Sequence, residues 1–127
     1  MNSLVGTWRL VEALAFDENG REAPPPLGPN PMGIIIYDTK RMMVAVCDGR
    51  PAMPEGSTQR IFSSYAGNYE FDGEKLVVQV DGASSQENHA EQVRQITFEN
   101  PNRYVAVPLT PTLGRSSGLK LTWERVG

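Results

Sequence analysis

The sequence predicts an all-β protein folded as an eight-stranded antiparallel up-and-down barrel, and three observations carry that prediction. Eight segments read as strands, most of them by the period-two alternation that puts successive side chains on opposite faces of a sheet. Glycine, proline, asparagine and aspartate separate them at the places where hairpins turn. Every stretch with helical spacing is broken by glycine, proline or strict alternation. Eight sequential antiparallel strands in 127 residues close most economically into a barrel, which removes both exposed edges. The interior of such a barrel either fills with side chains or holds one small ligand. An open sandwich is the main alternative.

The first strand is the longest, residues 4–16, LVGTWRLVEALAF. Its even positions hold Leu4, Gly6, Trp8, Leu10, Glu12, Leu14 and Phe16, the face with the large side chains. Glycine in a strand marks a bend or a close backbone approach, and Gly6 comes two residues before Trp8 on the same face. The final strand, residues 118–126, ends in Trp123-Glu124-Arg125. A guanidinium lies favourably on an indole face, so Trp8 and Arg125 are expected to close one end of the barrel.

Asn19-Gly20 turns the chain after the first strand. Residues 22–32 carry Pro24, Pro25, Pro26, Pro29 and Pro31, too many for a ladder, and form either a connector or a lid over the barrel mouth. A hairpin follows, residues 33–37 and 41–47. An open loop spans residues 48–60. Residues 61–72 place Ser63, Tyr65, Gly67, Tyr69 and Phe71 on one face, and Asp72-Gly73 turns them into residues 75–81. The polar stretch GASSQENHA carries the single histidine, His89. Residues 91–99 and 103–109 form strands around the turn Asn100-Pro101-Asn102, and residues 110–117 form the last loop.

Composition bounds the function. The chain is one domain's length, read as a single domain over residues 1–127. Hydrophobic residues make up 39% and charged residues 21%, an ordinary globular balance. Twelve basic residues are scattered among fifteen acidic ones, for a net charge of −3, which argues against nucleic acid or an anionic membrane surface as partner. No apolar run approaches the roughly 20 residues of a spanning helix. MNSLVGTW enters a strand with no preceding basic and apolar segments, so no signal peptide is expected. A single cysteine suits a reducing compartment, and the cytoplasm is the expected location.

An ordered set of motifs, LVGTWRLVEA, Gly-Ile-Ile-Ile-Tyr after the proline-rich loop, SSYAGNYEFDG, EQVRQITF and LKLTWERV, resembles the small bacterial and fungal lipocalin-like domain family of calycin-type barrels. The likeness runs from Leu4 to Val126. It implies an eight-stranded barrel with a central cavity, a small-ligand binder or, as in some natural-product pathways, a cyclase or isomerase. A histidine associated with the strand after the Tyr-x-Gly-x-Tyr segment is absent here, where Leu76-Val77-Val78-Gln79-Val80 stands.

The residues name the candidates for chemistry. Alternation sends Glu12 inward with Trp8, as a general acid/base or polar anchor, unless a bulge turns it out. Arg94 shares a face with Ile96 and Phe98, near Gln92. It would either pair with Glu12 or bind a ligand carboxylate, enolate or phenolate. Tyr37, Tyr65 and Tyr69 join apolar bodies to hydroxyls that serve as donors. Met43, Cys47 and Trp123 complete the expected ligand wall, with Met42 and Met53 as adaptable packing, and His89 is a secondary candidate at the mouth.

No metal cluster, phosphate-cradling loop or catalytic triad is spaced in the sequence, and no cofactor is expected. The leading expectation is a barrel enclosing a small, largely apolar or aromatic molecule. The alternative is a cofactor-free cyclase or isomerase acting on a polyketide-like or polyene substrate through Glu12, Arg94 and Tyr65. A third reading is an interaction module with a filled core. The expected partner is a small molecule, with a homodimer left open.

Overall fold

Nine strands follow one another in the computed structural model, which describes residues 2–57 and 59–127. Met1 and Thr58, the latter inside the expected 48–60 loop, lie outside the described residues. The strands are β1 (Gly6–Phe16), β2 (Glu22–Ala23), β3 (Pro31–Tyr37), β4 (Arg41–Asp48), β5 (Phe62–Phe71), β6 (Lys75–Ala83), β7 (Gln92–Asn100), β8 (Arg103–Pro108) and β9 (Leu119–Arg125). All the pairings are antiparallel; β1 takes β2 at its far end and also pairs with both β3 and β9. That last pairing closes the sheet into an eight-stranded barrel. The two-residue β2 only extends the end of β1, through Ala15–Ala23 and Phe16–Glu22. The expected barrel therefore stands, and the open sandwich does not.

The two ends of the barrel differ. Short turns at residues 38–40, 72–74 and 101–102 join the strands at the end where the chain starts and finishes. Asp38 and Asp72 cap their turns by accepting backbone N–H bonds from residues 40–41 and 74–75, which holds both carboxyls below their usual range. The connections at the other end are long: residues 17–30, 49–61, 84–91 and 109–118.

At the short-turn end Trp8 is fully buried, its indole N–H bonded to the Leu4 carbonyl at 2.8 Å. Tyr104 and Phe98 meet it edge-on at 4.7 and 6.2 Å between ring centroids. The Arg125 guanidinium carbon lies 4.3 Å from the indole centroid. The same guanidinium bonds the carbonyls of Ser3, Val5 and Pro101 and the side chain of Asn102, lacing the N-terminal segment to a turn. Gly6 permits this approach. Its φ is +133°, and a Cβ there would stand 2.6 Å from both Arg125 Nη1 and the Gly127 carbonyl oxygen.

Strict alternation fails in β1. Its register against β9 shifts between Leu10 and Glu12, so Val11 is an extra residue, a β-bulge. Before the bulge Trp8 and Leu10 face inward; after it Ala13 and Ala15 do. Glu12 is exposed, and no Glu12–Arg94 pair exists.

The proline-rich segment is an anchored connector rather than a free lid. Leu27 is completely buried in the core. Beside it, Asp48 is fastened by the Arg50 guanidinium at 3.0 and 2.6 Å, and Arg60 donates to the carbonyls of Asp48 and Arg50. The Arg50 hydrogen bonds hold the Asp48 carboxyl below the usual carboxylate range.

Candidate functional site

A cavity of about 40 Å³ occupies the barrel interior. Its walls are set by strand parity. Tyr37 pairs with Met42 across the β3–β4 hairpin, so those two, together with Ile35, Val44 and Val46, share the inner face. Met43 and Cys47 fall on the opposite parity. Met43 is exposed and Cys47 half-buried on the outer face, and neither lines the cavity. Their expected place in the ligand wall is corrected to Met42, Val44 and Val46. Trp123, Tyr65 and Tyr37 line the cavity as expected, joined by Ile96, Ala106, Leu121 and Tyr104.

The floor carries two buried phenols. Tyr37 Oη and Tyr104 Oη are 2.9 Å apart. Burial holds both hydroxyls well above the ordinary tyrosine range, so they stay neutral, with Arg94 only partly countering the effect. Tyr69 packs its ring edge-on against Tyr37 at 5.2 Å, but its hydroxyl donates to the Asp38 carbonyl. Tyr69 therefore stands behind the wall instead of in it.

Arg94 projects inward from the start of β7, as its parity with Ile96 dictates, and is 6% exposed. Nη1 donates to the Val93 carbonyl and Thr110 Oγ1, both at 3.1 Å, and Nη2 donates to Gln92 Oε1 at 3.2 Å. Gln92 is oriented by its own amide nitrogen, which donates to the carbonyls of Asn88 and Ala90. Thr110 Oγ1 donates to Gln92 Oε1 at 3.0 Å, closing the network. All these acceptors are neutral. Among the described residues no carboxylate pairs with Arg94. The acids near it along the chain, Glu87, Glu91 and Glu99, are exposed and accept from the Gly114 N–H, the Gln79 amide and the Arg103 guanidinium. The Arg94 guanidinium carbon lies 5.9 Å from the Tyr65 ring centroid.

The long loops finish the mouth with Asn88, Thr112 and Leu113, beside Ser63 at the start of β5. Asn88, 3% exposed, donates to Ser63 Oγ at 2.6 Å. Leu113 takes a positive φ of 52°, a conformation in which a branched side chain is strained. His89 is exposed and outside the lining, its backbone N–H spent on the turn carbonyls of Ser85 and Gln86. Met53 also lies outside it.

Several contributors escaped the sequence reading, among them Tyr104, Thr110 and Asn88. Tyr104 had a signal, since it alternates with Ala106 and Pro108 on one face of β8. Thr110 and Asn88 had none, because loop residues carry no parity. Among the described residues, no group of three or more His, Cys, Asp or Glu side chains is placed to hold a metal. Among them, too, no helix is long and apolar enough to cross a membrane.

No curated protein sequence matches this chain. A solved structure of a redesigned β-barrel is similar to it, at 17% identity over 98% of this chain and 92% of that one, with a TM-score of 0.49. The model of the lipocalin-like domain matches residues 5–126, nearly the whole length, and the chain belongs to that family.

Proposed function

We propose that the barrel binds a small, largely apolar or aromatic molecule in its central cavity, in the cytoplasm. The observation that supports this reading is the contrast within the lining. Ile35, Val44, Ile96, Leu121 and Trp123 form apolar walls, while polar groups converge at Arg94 and at the Tyr37–Tyr104 floor. That combination of apolar enclosure and a few placed polar groups is the usual anatomy of a ligand site. At about 40 Å³ the cavity has room for about three water molecules. A larger guest must shift the mouth loop that carries Leu113. The test is native mass spectrometry of freshly purified protein. A small-molecule adduct that Ala106→Phe abolishes by filling the cavity is the expected result. An adduct-free spectrum, with no change in melting temperature across a panel of small aromatic compounds, counts against the reading.

The cyclase or isomerase alternative loses the base assigned to it, because Glu12 is outside and no carboxylate or imidazole is among the lining residues. It would have to act through the donors of Arg94 and the tyrosines alone. An interaction module draws support from a different place. Met32, Ile34, Ile36, Met43 and Phe62 are exposed together on the outer face of β3, β4 and the start of β5. Self-association removed by Ile36→Lys, with no cavity ligand, would favour that second reading.

A further inference from the structure

The structure assigns to Arg94 the role of a carboxylate receptor, so that the guest is a monocarboxylate with a short apolar or aromatic body. This inference rests on the cavity-binding reading and sharpens it.

Arginine presents five N–H donors in a planar fork and keeps its charge at any pH a protein meets. Thr110 Oγ1 and Gln92 Oε1 are bonded to one another at 3.0 Å, and they receive Nη1 and Nη2 respectively. Two acceptors that close together must sit side by side along the Nη1–Nη2 edge. The remaining edge, Nε–H with the second Nη2 hydrogen, has no protein acceptor among the described residues. Arg94 itself lines the cavity. Among the described residues the side-chain nitrogen that is wholly buried without a partner is Arg115 Nε, and Arg94 Nε is not in that condition.

Two parallel N–H groups on one edge match the two oxygens of a carboxylate. A phenolate or enolate would use one oxygen and leave the other donor unmet. A phosphate dianion is a poorer fit, since no lysine, histidine or second arginine lines the cavity to balance it. Burying a guanidinium against neutral acceptors alone is unfavourable without an anion, and a carboxylate supplies the missing charge. The apolar walls below Arg94 receive the body of the guest, and the Tyr37–Tyr104 pair offers a hydroxyl donor at its far end.

The test compares butyrate with butyramide, equal in shape and different in charge, by NMR titration at constant ionic strength. Wild-type protein is expected to bind butyrate at least about tenfold tighter, a charge-assisted fork against a neutral contact. The Arg94 Nε–Hε resonance should move further with butyrate than with butyramide. Arg94→Met should bring the two affinities within about twofold, by weakening butyrate far more than butyramide. Equal affinities in the wild type, or an Arg94 resonance that stays still at saturation, would overturn the carboxylate assignment and leave cavity binding intact. The resonance is read on the wild-type protein, so the outcome does not depend on whether Arg94→Met folds. A failure of both probes to bind also overturns the assignment, while the broader reading is judged separately by the native mass spectrum.

Discussion

Two arginines, one at each end of the barrel, are held in opposite ways. Arg125 lies on the Trp8 indole and donates to Ser3, Val5, Pro101 and Asn102, so its charge is met from all sides by acceptors and an aromatic face. Arg94 is more deeply buried and less completely met, with neutral acceptors at Nη1 and Nη2 and none at Nε among the described residues. The first arrangement consumes the donors of the side chain in holding the chain ends together. The second keeps donors unspent. Short turns and aromatic packing close one end, while long loops frame the cavity at the other, and the same residue type sits at both in different surroundings.

Four measurements can break or sharpen that contrast. The largest effect belongs to Trp8→Ala, which removes the side chain around which Tyr104, Phe98 and Arg125 pack. A loss of about 3–5 kcal/mol in denaturant unfolding is expected, and a loss under about 1 kcal/mol would deny the closed end its structural role.

Next comes alkaline pH. The buried phenols of Tyr37 and Tyr104 hold their protons higher in the folded protein than in the unfolded chain. Because the folded values are raised, their contribution is fully present below the unfolded value, about pH 10, and is lost above it, by about 1.4 kcal/mol per pH unit for each phenol. Tyr37→Phe should roughly halve that slope. An unchanged slope would place the titration elsewhere.

Arg125→Ala should lower stability by about 1–2 kcal/mol, through the lost cation–π contact and stem packing. Ligand binding at the far end should not change. The smallest effect is the most discriminating: Arg94→Met should move stability by less than about 1 kcal/mol, since its removal relieves a buried charge that no carboxylate offsets. A loss as large as that of Trp8→Ala would make Arg94 a structural element and erase the difference between the ends.

The sequence revealed the barrel because its punctuation is strong and its parity is mostly unambiguous. In β7 the outward Gln95, Thr97 and Glu99 leave no doubt that Arg94 and Ile96 point inward. In β1 the signal is empty after Leu10. Val11, Ala13, Leu14 and Ala15 suit either face, so the one-residue bulge that turns Glu12 outward leaves no trace in the pattern. In β4 both faces are apolar, and Arg41, exposed and paired with Asp81 at 2.8 Å, is the single cue that Met43 and Cys47 share its outer side. The mouth was least legible. Thr110, Asn88 and Leu113 come from loops, where contacts depend on how the chain folds back rather than on periodicity.

The phenol pair at the floor bears on how a guest would be held. Two hydroxyls sharing one hydrogen bond across 2.9 Å have two states, differing in which oxygen donates. In either state the accepting hydroxyl keeps a proton of its own, and a rotation about two C–O bonds moves that spare proton from one ring to the other. An acceptor atom on the guest can therefore be met at either of two positions with no heavy atom displaced. For a guest bound as proposed, the floor would act as a proton rotor, tolerant of where its far end comes to rest, beneath a guanidinium whose planar fork tolerates very little.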